Sequence, residues 1–170
     1  MDVTSAELPE LLRLPELARL LDAGRLSIQP DQPQPAGSQS TRQEGREMFE
    51  RRASERGFKV RTPSQAEEGD FVVVGQANSE PVRLICSESP RISLRKEWAG
   101  AADVILAYVW LLPTRTRIFL MKYKEAAGVL GEKALESASF RDNGYYTTAC
   151  TPRRQQAMER FEDRWEIFSP

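Results

Sequence analysis

Histidine does not occur in the 170 residues of this chain. Its absence excludes Ser-His-Asp and Cys-His nucleophile chemistry, histidine-dependent nucleases and histidine-ligated zinc. Any proton transfer falls to Asp, Glu, Lys, Tyr, Cys or water. Cysteine is scarce: Cys86 and Cys150 are the only two, too few for a disulfide framework or a four-thiolate zinc site, and both read as buried thiols. No apolar run approaches the roughly 20 residues a membrane helix requires. The longest, Val104 to Leu112, is strand-length. The opening Met1-Asp2-Val3 lacks the basic-then-apolar pattern of a signal peptide, so the expected compartment is cytoplasmic. A Gly-rich phosphate loop and a dinucleotide fingerprint are also missing. The formal net charge of -1 gives no global signature of a nucleic-acid binder. Arginine nevertheless outnumbers lysine, a bias read first as genomic composition and only second as guanidinium contacts to phosphate.

The punctuation of the chain divides it in three. Thr4 and Glu7 have capping-box spacing, Leu8, Leu11, Leu12, Leu17, Leu20 and Leu21 follow helical periodicity, and Gly24 is a stop. Residues 1–28 therefore read as a short helical segment, suited to docking on the main domain, on a partner or on a second copy as a homodimer. Residues 29–41 are rich in Pro, Gln and Ser and read as a flexible linker. Residues 42–170 read as the main domain. Arg42 to Arg56 is a charged helix with Met48, Phe49 and Ala53 on its apolar face, and Gly57 ends it in a Schellman-like stop. Strands are expected at Phe58–Arg61, Asp70–Val74, Val82–Ser87, Asp103–Leu112 and Thr116–Met121. A short helix is expected near Leu94–Ala99, another at Lys124–Gly131, an Asn143-Gly144 turn between small strands, and a last helix capped by Thr151 with Pro152 at its first position. Trp98, Trp110 and Trp165 read as core or interface residues, and Tyr145 and Tyr146 as packing residues or stacking platforms. The order is that of an α+β domain around one mostly antiparallel or mixed sheet flanked by helices.

Particular residues carry a resemblance to a known family. The helix segment Gly45-Arg46-Glu47-Met48-Phe49-Glu50 runs into Arg56-Gly57-Phe58-Lys59-Val60. Gly69-Asp70-Phe71-Val72-Val73-Val74 follows, then Val82-Arg83-Leu84-Ile85-Cys86-Ser87, and then the hydrophobic pair ending at Trp110 and Met121. Over roughly half of its length the chain resembles the PD-(D/E)xK nuclease superfamily, whose fold is a restriction-endonuclease-like core. The resemblance implies two carboxylates on neighbouring strands holding Mg²⁺, which polarises a phosphate and generates a hydroxide-like nucleophile, with a lysine two residues after the second acid. It implies Asp70 as the first acid and metal ligand, with Glu47 or Glu50 on the helix as accessory ligands and Glu44 as a weaker choice. At the expected acid-x-lysine the sequence has Ile85-Cys86-Ser87, so the motif is incomplete. Glu88 then stands in as a shifted catalytic acid and Lys96, with Arg91 in a weaker role, as a migrated cation. The structural alternative for Glu47 and Glu50 is a solvated helix face ion-paired with Arg46, Arg51 and Arg52.

Three functions compete on this reading. One is an atypical Mg²⁺-dependent endonuclease. Another is a catalytically degraded nucleic-acid-binding domain, for DNA above all, in which Arg42, Arg46, Arg51, Arg52 and Arg56 with Arg153 and Arg154 contact phosphates. The third is a protein-interaction or assembly module acting through the N-terminal helical segment.

Overall fold

The computed structural model describes residues 38–65, 67, 69–75, 78–100 and 104–169. The N-terminal helical segment expected in residues 1–28 lies outside the described residues, as does Asp103.

The first helix, α1 (Gln39–Glu55), begins earlier than its charge pattern suggests. Ser38 is its N-cap, accepting a hydrogen bond from the Thr41 N–H, so Gln39 to Thr41 form a first turn and are not linker. Thr41, Gly45, Phe49 and Ala53 are buried, a stripe repeating every four residues that turns one face to the sheet. At the other end, Gly57 has φ 83° and the Phe58 N–H returns to the Ala53 carbonyl at 2.9 Å, the expected Schellman closure.

The central sheet has the order β1 (Lys59–Arg61), β2 (Phe71–Val74), β3 (Ser79–Ser87), β5 (Ile105–Leu111), β6 (Thr116–Lys122). The pairings β1–β2, β2–β3 and β5–β6 are antiparallel, whereas β3 and β5 run parallel. Side chains alternate across this sheet. On β3, Leu84 and Cys86 face the core under α1, with Phe49, Phe71, Val109 and Leu120, and Ile85 faces the opposite core, with Ile92, Tyr108, Trp110 and Phe119. Every residue of β5 from Ile105 to Trp110 is buried, as a strand covered on both faces requires.

The second face is covered by β4 (Arg91–Arg95), α2 (Tyr123–Leu130), α3 (Glu132–Leu135), α4 (Ala138–Asn143), β7 (Tyr145–Ala149) and α5 (Pro152–Glu159). Here the chain departs from its local propensities. Arg91 to Arg95 is not the start of a helix but a strand that pairs antiparallel with β7, and only Lys96–Gly100 is helical, as a 3₁₀ turn. Ile92 and Leu94 alternate into the core, and the partner that selects the extended form lies some fifty residues downstream, beyond the reach of local pattern. Asn143-Gly144 is likewise not a hairpin turn: Gly144, at φ 72°, closes α4. After α5 the chain crosses the β6 edge, where the Leu120 N–H donates to the Phe161 carbonyl and the Asp163 N–H to that of Ile118, both at 2.9 Å. Trp165 and Phe168 then return to the core under α1, with Trp165 5.2 Å from Phe49 between ring centroids. All three tryptophans and both cysteines are buried, as their types suggested.

Candidate functional site

Asp70 is placed by its neighbours in sequence. Gly69, at φ 127°, lies so near β3 that a Cβ there would come within 2.8 Å of the Val82 carbonyl oxygen, so the approach is open to glycine alone. The Asp70 N–H then donates to the Val82 carbonyl at 2.7 Å. Its carboxylate accepts the Leu84 N–H through Oδ2 at 2.7 Å, satisfying a backbone donor beyond the last rung of the β2–β3 ladder. Arg42, one turn into α1, donates to the other oxygen, Oδ1. The pair is partly open to water, with the arginine side chain 50% and the aspartate 24% exposed.

The neighbouring ground is apolar. Leu84 and Cys86 follow one another on the α1 face of β3, both buried. The sulfur of Cys86 fits against Gly45: a Cβ at residue 45 would lie 2.2 Å from Sγ. Burial pushes the Cys86 thiol up to about 12, with the Arg42 cation opposing the shift and the Asp70 carboxylate reinforcing it. The thiol is therefore a packing group with no thiolate at neutral pH.

The remaining acids do not join Asp70. Glu88 is exposed beyond the end of β3 and accepts from the buried hydroxyl of Thr41. The four residue steps of chain from Leu84 to Glu88 span roughly 13 Å. Glu50 accepts from Arg46 Nε at 2.8 Å, and Arg46 in turn lies over the Phe71 ring at 5.9 Å from its centroid. These two border a groove of about 480 Å³ between α1 and the edge strand β1, floored by Phe58 and Val60. Glu47 is exposed and bonded to Gln43, a residue earlier on the same outward face, and Glu44 is exposed as well. Lys96 opens the 3₁₀ turn after β4, where its N–H donates to the Gly144 carbonyl at 2.7 Å, among elements of the second face. Arg91 is exposed on β4. Among the described residues no group of three or more His, Cys, Asp or Glu side chains is gathered to hold a metal ion. The residue set that the resemblance implies for Mg²⁺ does not fit it here: Asp70 is engaged on both oxygens, by a cation and by a backbone donor, and the other carboxylates point elsewhere.

The arginines read as one phosphate surface divide between two faces. Arg42, Arg46 and Arg52 lie on α1 and each has a carboxylate partner, Asp70, Glu50 and Glu55 respectively. Arg51 leans on Met48, and Arg56 is the exposed C-cap of α1. Arg153 and Arg154 stand in the first turn of α5, whose Met158 enters the opposite core. Tyr145 and Tyr146 are half-buried on β7, with Tyr146 packed against that same core. Thr41, read from the sequence as the end of the linker, is instead a buried helix residue that reaches Glu88, and Gly45 and Gly69 take roles in packing and strand entry beyond their place in the motif segments. The Gly69-Asp70 dipeptide is the signal in the sequence, since this close strand entry needs a glycine beside the Val82 carbonyl and an acceptor for the Leu84 N–H.

No family model, curated protein or solved structure matches the chain.

Proposed function

We propose that this chain is a nuclease-type domain whose catalytic site is degraded, and that it binds nucleic acid without cleaving it. The reading is supported by α1 followed by the antiparallel strands β1, β2 and β3, with β5 parallel to β3, a mixed sheet flanked by helices that is compatible with the core the PD-(D/E)xK resemblance implies. Within that arrangement Asp70 stands at the first acid. The two β3 residues that share its face, Leu84 and Cys86, fill the acid and lysine positions, one residue earlier than the sequence pattern placed them. The observation that carries the loss of catalysis is the guanidinium of Arg42 on Asp70: the cation opposite the one remaining acid is an amino-acid side chain, not a metal. Without a second carboxylate there is no shell to hold Mg²⁺, and without a cation at residue 86 nothing orients an attacking water.

The test is an incubation of the purified chain with labelled DNA and RNA, with and without Mg²⁺ or Mn²⁺. A salt-dependent mobility shift with intact substrate is expected. Cutting that requires the metal and disappears in Asp70→Asn would show an active enzyme and remove the degraded-site reading. No shift at low salt would remove nucleic acid as the partner.

A further inference from the structure

On the face of the sheet opposite α1 and Asp70, the end of α2 and the start of α5 enclose a groove of about 520 Å³. Its charged lining is Arg153 and Arg154, and among the described residues no carboxylate lines it. Gly128 and Gly131 leave one wall open, with nothing within 4 Å of where a Cβ would sit on either. Val129 and the stem of α5 supply an apolar side. Arg154 is fixed across the groove, donating from Nη2 to the Leu130 carbonyl at 3.1 Å, while its backbone N–H is already taken by the Thr151 hydroxyl. Arg153 is exposed beside it.

We infer that this groove is where the domain holds a phosphodiester backbone. The inference rests on the nucleic-acid reading above and names the surface for it. The charge balance decides between the faces. Arg42, Arg46 and Arg52 of α1 are each neutralised by a carboxylate of the same chain. Arg51 and Arg56 are matched in number by the exposed Glu44 and Glu47 of the same helix, so a polyanion approaching that face meets as many negative groups as positive ones. The α2–α5 groove offers two guanidiniums with no acid between them, one of them held in place before any ligand arrives. Guanidinium forks match the oxygens of a phosphate, and a pre-positioned one loses little freedom on binding. The glycines let a sugar-phosphate chain lie close to the backbone of α2.

The experiment places a carboxylate in the groove without touching an arginine. Gly128 lies within α2 with open space around it, so Gly128→Glu folds, and Gly128→Gln has the same shape without the charge. Binding of a fluorescein-labelled DNA oligonucleotide to the full chain is measured by anisotropy over a range of salt. Gly128→Glu is expected to weaken binding by about tenfold while Gly128→Gln binds as the native chain does. Arg153→Ala is expected to lower the slope of log affinity against log salt by about 1. If all three bind like the native protein while Arg42→Ala binds more weakly, the contact is on the α1 face and the groove assignment is overturned, though nucleic-acid binding stands. Capture of poly-glutamate in preference to the oligonucleotide would assign the groove to acidic protein and overturn it as well. Failure of the native chain to bind any oligonucleotide overturns the parent reading itself.

Discussion

The guanidinium of Arg42 rests on one carboxylate oxygen of Asp70 while the backbone N–H of Leu84 donates to the other at 2.7 Å. Asp70 thereby ties α1, β2 and β3 together, and its two contacts differ in worth. The ion pair is partly exposed and contributes up to about 1 kcal/mol. Leu84 is 5% exposed, and its N–H faces a costlier loss if the acceptor goes. Asp70→Ala is therefore expected to lower stability by about 1.5–3 kcal/mol, against less than about 1 kcal/mol for Arg42→Ala. Urea denaturation of the two variants checks the order. Equal losses, or a gain in stability for Asp70→Ala, would mean the aspartate is held under strain for another purpose.

Divalent ions give a second, independent check. A ligand that binds only the folded state raises its stability by RT ln(1 + [L]/Kd), about 2.7 kcal/mol at a hundredfold excess over Kd. With Asp70 engaged on both oxygens and no group of metal-ligating side chains gathered around it among the described residues, millimolar Mg²⁺ or Mn²⁺ is expected to leave the Tm of the native chain and of Asp70→Asn shifted alike. A rise in Tm confined to the native chain would reveal a metal held by Asp70.

Gly45 tests the packing of α1 on the sheet. Alanine in place of glycine favours a helix by about 1 kcal/mol. Here the new Cβ would stand 2.2 Å from Cys86 Sγ, and such overpacking costs about 1–3 kcal/mol. Gly45→Ala is expected to be neutral to destabilising in the native background and stabilising in a Cys86→Ala background, a coupling that a double-mutant cycle reads from denaturation midpoints. Additive effects would show that α1 sits farther from β3 than the contact implies.

The parts of the fold legible in the sequence are those whose cause is local. Gly57 stops α1 because a left-handed residue is needed there, and Thr151-Pro152 opens α5 because both residue types suit a helix start. The run from Val104 to Trp110 announces a strand buried on both sides. The Arg91–Arg95 strand was not legible, because its extended form is selected by β7. The site divides in the same way. Asp70 at a strand entry follows from Gly69 before it, whereas the reach of Arg42 to Asp70, or of Thr41 to Glu88, depends on how α1 lies over β3. Helical spacing does mark the pairs within α1, since Arg46 meets Glu50 and Arg52 meets Glu55, whereas the neutralisation of Arg42 by Asp70 depends on the fold.

The buried thiols weaken the fold at alkaline pH. Burial pushes Cys86 up to about 12 and Cys150 up to about 11, whereas an unfolded thiol ionises near about 8.5. Both shifts are upward for groups that are neutral when protonated. In the window from about 8.5 to 11 the unfolded chain therefore loses thiol protons that the folded chain keeps, and stability falls as pH rises. Below about 8.5 both states are protonated and the thiols contribute no slope. The loss is expected to be on the order of 1–2 kcal/mol per thiol by pH 10. Tyrosine and lysine titrate in the same region, with buried Tyr108 shifted upward too, so the measurement is a difference: urea midpoints at pH 8 and pH 10 for the native chain and for Cys86→Ala. The native chain should lose more stability across that interval than the variant, and native Cys86 should resist iodoacetamide at pH 8 until urea unfolds the chain. Equal losses in the two proteins, or rapid alkylation of the native thiol, would show that α1 does not seal Cys86 from water.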